Sequence, residues 1–351
     1  MSNRSASSSP KRTAVPLVLL LLTLLPLEAA EDLGAKLTSE IKRIFQERRE
    51  AVVRVEAFDR HGRLCGTGFF ADPAGTIYTL DYIVGQADEI YIIFKGRQIP
   101  AKLLVSDPRS GIALIKADCE SPFIPIGSGS TLTIATPIMA IGYPVNTDAT
   151  ATFGLLGGFD RQFLGQHFMT THLRANLPVE PGFGGAPVLN LNGDAVGIVF
   201  SGIGGGGACY ALPIEAAEKI RMDYVRFGEP RHGWVGVNVE EQPETVHGSN
   251  VRITELSPET PAAKSGLQDG DILIQVGTRK VSHAEDVIDA SFFLTAGDNV
   301  PITVIRDGKT VTIKVQASRH PITNTPLFPG GGMNELHALM PGETPERINL
   351  E

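Results

Sequence analysis

Between residues 53 and 213 the chain is written almost wholly in short β segments separated by polar turns. Val53, Val55 and Ala57 alternate with Arg54, Glu56 and Phe58, the period of a half-buried strand. Further short runs occupy residues 76–80, 89–94, 98–105, 112–116 and 137–141, and a second set spans about 150–213. Turn-forming stretches such as Asp72-Pro73-Ala74-Gly75 punctuate them. No long helical period interrupts the series, which argues for an all-β sandwich or barrel.

Helical spacing occurs on either side of this region. Leu37, Ile41, Ile44 and Phe45 make one apolar stripe on a charged segment, predicting a helix over residues 35–50. Residues 214–225 read as a second helix, and 226–233 as a linker. Ser282-His283-Ala284-Glu285 has the form of a capping box, opening a helix that runs to about Leu294 and stops near Gly297. Two strands follow across an Asp307-Gly308 turn. The run Gly204 to Gly207 fits either a close backbone approach or a loose hairpin end. Residues 318–351, with five prolines and a triple glycine, read as a tail.

Residues 1–30 have the layout of an export signal: Lys11-Arg12, an apolar run from Ala14 to Leu27, then small residues around Ala29-Ala30. Glu28 spoils a clean cleavage site, so retention of the segment as a membrane anchor is the alternative. The expected location is outside the cytoplasm, in the periplasm or cell envelope. A formal net charge of −8 disfavours nucleic acid as a partner. Cys65, Cys119 and Cys209 match no metal-binding spacing. They read as small buried residues, with one disulfide open to an exported protein. Neither a cofactor nor a metal is expected.

Ordered motifs in residues 51–225 resemble the trypsin-like protease domain of the HtrA/Deg family. They are Gly66-Thr67-Gly68-Phe69, Tyr78-Thr79-Leu80-Asp81-Tyr82-Ile83-Val84, Asp107-Pro108-Arg109-Ser110-Gly111-Ile112-Ala113-Leu114, Ala140-Ile141-Gly142-Tyr143-Pro144, Pro181-Gly182-Phe183-Gly184-Gly185-Ala186-Pro187 and Tyr210-Ala211-Leu212-Pro213-Ile214. Residues 234–317 resemble the PDZ domain that follows in that family. The resemblance implies a mainly β protein: two six-stranded barrels, a linker at 226–233, and a PDZ domain before the tail at 318–351. Residues 31–50 become an N-terminal helix, a region through which the family often forms homotrimers.

The departures bear on function. The resemblance places Tyr82 in the histidine slot, Gly111 in the aspartate slot and Gly184 in the serine slot. A phenol titrates near pH ~10 and is a poor base at neutrality, and glycine offers no side chain, so the triad chemistry is not available from these three. Asp81, Ser128, Ser130, Ser201 and His172 offer no evident substitute. The expectation is a catalytically inactive protein that binds unfolded or C-terminal peptide segments as holder, adaptor or regulator of an active relative. A serine endopeptidase, and a PDZ tether with the barrels as spacer, are the rivals. Backbone N–H groups of Gly182 and Gly184 are the expected donors of an oxyanion-type hole. Whether that cleft is open or filled by Phe183 and Tyr82 stays undecided at the level of sequence. For the PDZ domain, Trp234-Val235-Gly236-Val237 resembles a carboxylate-binding loop. The groove is expected between a strand over residues 235–239 and the helix from His283, with Val287 and Ala290 on its wall.

Overall fold

The computed structural model describes residues 25–319, except Asn146, Leu164, Gly165 and Gly206. The apolar run of the expected export signal therefore lies mostly outside the described residues. Two compact units divide the chain, residues 1–44 and 45–351. The first contributes most of α1 (Leu25–Arg48). That helix starts ten residues earlier than its apolar stripe predicts, because Leu25-Pro26-Leu27-Glu28-Ala29-Ala30 is rich in helix formers and carries Pro near the first turn, where proline is tolerated. No helix among the described residues is long and apolar enough to cross a membrane.

The second unit holds both barrels. Strands β1 (Val52–Asp59), β2 (Gly62–Phe70), β3 (Thr76–Leu80), β4 (Glu89–Phe94), β5 (Arg97–Asp107) and β6 (Ile112–Ala117) close in the order β1-β2-β3-β6-β5-β4. A four-residue helix, α2 (Asp81–Val84), follows β3. Strand β4 alternates buried and exposed as a barrel wall should. Strand β6 is nearly all buried, since the helix α3 (Ile214–Phe227) packs on it. The second barrel closes as β10-β11-β12-β9-β8-β7. Its members are β7 (Pro137–Gly142), β8 (Thr150–Phe163), β9 (Gln166–Ala175), β10 (Pro187–Leu189), β11 (Ala195–Ile203) and β12 (Ala208–Pro213). Its core includes Ile138, Leu156, Leu177, Phe183, Val188 and Val199. The glycine run is an open hairpin end, with nothing near Gly204, Gly205 or Gly207.

The PDZ-like part contains β13 (Gly233–Trp234), β14 (Asn238–Val246), β15 (Ser249–Thr254), α4 (Pro261–Lys264), β16 (Ile272–Val276), β17 (Arg279–Lys280), α5 (Ala284–Phe292), β18 (Asn299–Arg306), β19 (Lys309–Gln316) and β20 (Ser318–Arg319). Its sheet runs β14-β15-β16-β18-β19. The cap of α5 sits one residue later than the capping-box pattern suggests: the Asp286 carboxylate, not Glu285, accepts from the Ser282 and His283 N–H groups. Glu285 is free to accept from Gln162 of β8. Residues 318–319, read as the start of a tail, instead pair with β13. Residues 320–351 lie outside the description.

Two sets of contacts seat this part on the barrels. Asp289 of α5 accepts from the Thr170 hydroxyl and the Thr171 N–H at 2.8 and 2.7 Å and pairs with Arg279. Arg161 pairs with Asp286. Along the expected linker, His232 Nε2 meets Asp107 of β5 at 2.9 Å. Asp223 accepts from Thr295 and from the Arg231 N–H while pairing with Lys219. Residues 226–233 are thus pinned at several points. All three cysteines are free; only Cys209 is buried, Cys65 and Cys119 being half-exposed.

Candidate functional site between the barrels

The glycine loop before β10 is held by a residue that sequence reasoning passed over. Thr67, in β2 of the first barrel, is fully buried. Its N–H donates to Gly184 O at 2.8 Å, its hydroxyl donates to Gly182 O at 2.7 Å, and the same hydroxyl accepts from Tyr143 N–H at 2.9 Å. Thr79 of β3 donates in turn to Thr67 O. The only sequence signal was a hydroxyl residue between two glycines, Gly66 and Gly68. Those glycines are needed: a Cβ on Gly66 would lie 2.2 Å from Ile83, and one on Gly68 2.9 Å from Tyr78 O. Gly185 is fixed as well, with φ +87° and the Thr67 carbonyl 2.0 Å from where its Cβ would stand.

Within the loop the N–H groups divide into two sets. Those of Phe183 and Gly185 donate to Glu180 O and Val199 O. Those of Gly182 and Gly184 have no acceptor among the described residues. Phe183 does not close the cleft; its ring is buried in the core of the second barrel, against Gly142.

Tyr82 does enter the space beside Gly184. Its hydroxyl oxygen lies 1.8 Å from the position a Cβ on residue 184 would take. The residue is 37 % exposed; desolvation pushes its phenol up to about 12, and the hydroxyl is the end that meets Gly184. The neighbouring Asp81 is engaged elsewhere: its carboxylate accepts from Ser106, while desolvation first, Asp107 also contributing, raises its pKa despite that hydrogen bond. Gly111 has φ +75°, and the ring of Phe200 stands 2.6 Å from its would-be Cβ. Gly184 is therefore fitted to Tyr82, and Gly111 to Phe200, as they stand.

Other titratable groups nearby are committed elsewhere. Asp107 is buried; desolvation would raise its pKa, but His232 and the Ser110 hydroxyl outweigh that and hold it below the usual range. His172 of β9 stacks on Phe168 and meets Phe200 edge-on. Its Nδ1 donates to Thr170 O, and desolvation lowers its pKa to about 4. Ser128 donates to Glu215 and contacts Ser130.

In the PDZ part, Gly236 has φ +76° and packs against Trp234 and Thr260. Val235 is buried in the core with Val287 and Ala290, while Val237 and Val239 are partly buried against it. Two expectations are corrected here. The strand beside α5 is β14, beginning at Asn238 rather than at residue 235, because the positive φ of Gly236 breaks extended backbone. Val287 and Ala290 face the domain core rather than an open wall. Strand β14 is the edge of its sheet and packs beside α5.

The family descriptions that match are a trypsin-like peptidase domain over residues 66–198 and a PDZ domain over residues 233–317. A probable periplasmic serine endoprotease, DegP-like, from Pseudomonas fluorescens is 29% identical over 275 residues, covering 75% of this chain and 58% of that protein. A protein of the same description from Chlamydia trachomatis is 28% identical, covering 73% and 54%. The chain thus spans less than two thirds of the length of these relatives. Among solved structures, the HtrA-type protease AlgW with a tripeptide aligns at TM-score 0.67 and 22% identity, covering 80% of this chain and 97% of that one. A serine endoprotease from Yersinia pestis aligns at TM-score 0.58 and 24% identity, covering 80% and 98%.

These comparisons correct the expectation that the chain is not an enzyme. The relatives and similar structures are named serine endoproteases and HtrA-type proteases, which point to an enzyme. The expectation rests on three side chains, and three side chains do not inventory every group of a scaffold. With a trypsin-like peptidase domain, a PDZ domain after it, and matching relatives along three quarters of its length, the chain belongs to the HtrA family.

Proposed function

We propose that this is an HtrA-type protein of the periplasm or cell envelope that takes up polypeptide segments, unfolded chains or C-termini, through its PDZ domain and its inter-barrel cleft. The observation that carries the reading is the free outer edge of β14 alongside α5. An extended peptide can add there as a strand, with main-chain hydrogen bonds supplying affinity. The loop of Trp234, Val235, Gly236 and Val237 at the head of β14 is the proposed cradle for a terminal carboxylate, Gly236 supplying the left-handed turn. Val287 and Ala290 support the groove from within the core. The names of the relatives support the envelope location, and a solved neighbour with bound tripeptide supports the ligand class. Trimer formation through residues 35–50 belongs to the same proposal and is read by light scattering.

Serine endoproteolysis, the activity in the relatives' names, is the second reading. It draws on those names; residue 184 itself offers no hydroxyl. One experiment addresses both. Labelled, permanently unfolded casein is incubated with the purified chain, and fragment size and co-elution are followed together. Intact casein co-eluting with the protein supports the binding reading. Fragments that persist after removal of host proteases support the endopeptidase. Intact casein eluting alone, with no response of Trp234 fluorescence to C-terminal peptides, overturns peptide uptake.

A further inference from the structure

We infer that a small pocket at the C-terminal end of α5 receives the Leu327-Phe328 segment of this same chain, with the Phe328 ring as its anchor. The pocket, about 220 Å³, lies in the PDZ part between the β16–β17 turn, the end of α5 and the start of β18. Val276, Ala290, Leu294 and Val300 give it an apolar lining and belong to the domain core, so packing fixes their positions. Thr278 and Pro301 are exposed at its rim. No residue of β14, nor of the 234–237 loop, lines it. It is therefore separate from the groove proposed for peptide C-termini, and the inference stands apart from that reading.

The lining selects a neutral aromatic group. Two charged side chains reach the pocket, and both are already paired. Arg279 faces Asp289 at 2.6 Å, and Asp298 faces Arg226 at 2.7 Å. A charged ligand would have to compete with those partners. The Arg279 guanidinium also lies over the Phe293 ring, 3.5 Å from its centroid. A guanidinium and a ring on one wall favour a further ring over an aliphatic chain. The volume is smaller than the roughly 300 Å³ at which sites for whole small molecules begin. It suits one bulky side chain.

The occupant follows from where the chain leaves the fold. Asn299, on the pocket's rim, pairs with Gln316, and the Ala317 N–H donates to Asp298 O. Two residues later Arg319 is held by Gly233 in the strand pair and by Glu229 through its side chain. Residues 320–351 thus start beside the pocket. Phe328 comes nine residues after Arg319 and is the only aromatic residue after Phe293. Nine residues span up to ~30 Å, about the diameter of a small domain. Asn324 and Pro326 supply turn chemistry for a return path. Pro321, Pro326 and Pro329 restrict the segment, which lowers the entropy lost when it seats.

The test uses the full chain with the photo-cross-linker p-benzoyl-phenylalanine at position 328. The protein is irradiated at low concentration and its adducts are mapped by mass spectrometry. The expected result is an adduct within one chain, on residues 276–279 or 293–301. In parallel, hydrogen exchange of those residues is compared between the parent and Phe328→Asp. Position 328 comes after the last paired strand, so this substitution breaks none of the contacts described above. Exchange there should be at least about threefold faster in the variant, with the barrels unchanged. An adduct joining two chains overturns the assignment to the same chain. Adducts elsewhere, or none, overturn the pocket as the seat. Pocket adducts with unaltered exchange in Phe328→Asp report passing encounters and overturn it too.

Discussion

A hydroxymethyl group on residue 184 is a smaller intrusion than its 1.8 Å contact suggests. The atom it meets is the far end of a half-open tyrosine that can rotate outward. Gly184→Ser should therefore cost about 1 kcal/mol or less in urea unfolding, with the Tyr82 ring displaced. Gly185→Ala meets a carbonyl at a positive φ and should cost roughly 3 kcal/mol or more. Thr67→Val keeps the shape but strips the hydroxyl from Gly182 O and Tyr143 N–H; about 2–4 kcal/mol is expected, from two buried groups left unpaired. His172 gives a pH signature. Its folded pKa, near 4, lies below the unfolded value of about 6.5. The unfolded chain therefore binds the proton first, and stability falls as pH drops from about 6.5 to about 4. The loss over that window approaches about 3 kcal/mol. A His172→Phe variant, followed by denaturant midpoints across that window, should lack this component.

At the level of elements, much was readable because periodicity is local. The alternation in β1 and β4 and the Asp307-Gly308 hairpin can each be read from a few consecutive residues. The residues at 82, 111 and 184 can likewise be read one at a time. What could not be read was their mutual fit: Tyr82 against Gly184, and Phe200 against Gly111, join residues far apart in sequence. The cap of α5 is ambiguous by one residue in sequence because Glu285 and Asp286 are both acidic, and long-range contacts such as that between Gln162 and Glu285 help separate them. That helix also yields a prediction. Asp289→Asn weakens acceptance from Thr170 and Thr171 and removes the charge opposite Arg279. Hydrogen exchange should quicken in β9 around residues 170–172 and in α5, with a stability loss of roughly 2 kcal/mol.

For the whole molecule, the segment at 226–233 acts as a fastening. His232→Ala leaves Asp107 buried without its imidazole partner, which should destabilise by about 3–5 kcal/mol. Limited proteolysis should then open residues 226–233, whose hydrogen bonds are expected to resist cleavage in the parent chain. The ring of Phe200 has a consequence of another sort. It stands in the space that any side chain on residue 111 would need, and it is packed by His172, which cannot be freely rearranged. A designer wishing to install a new proton relay in this cleft would find residue 184 permissive and residue 111 closed. Work would have to begin at position 200, whose ring fills the space beside residue 111.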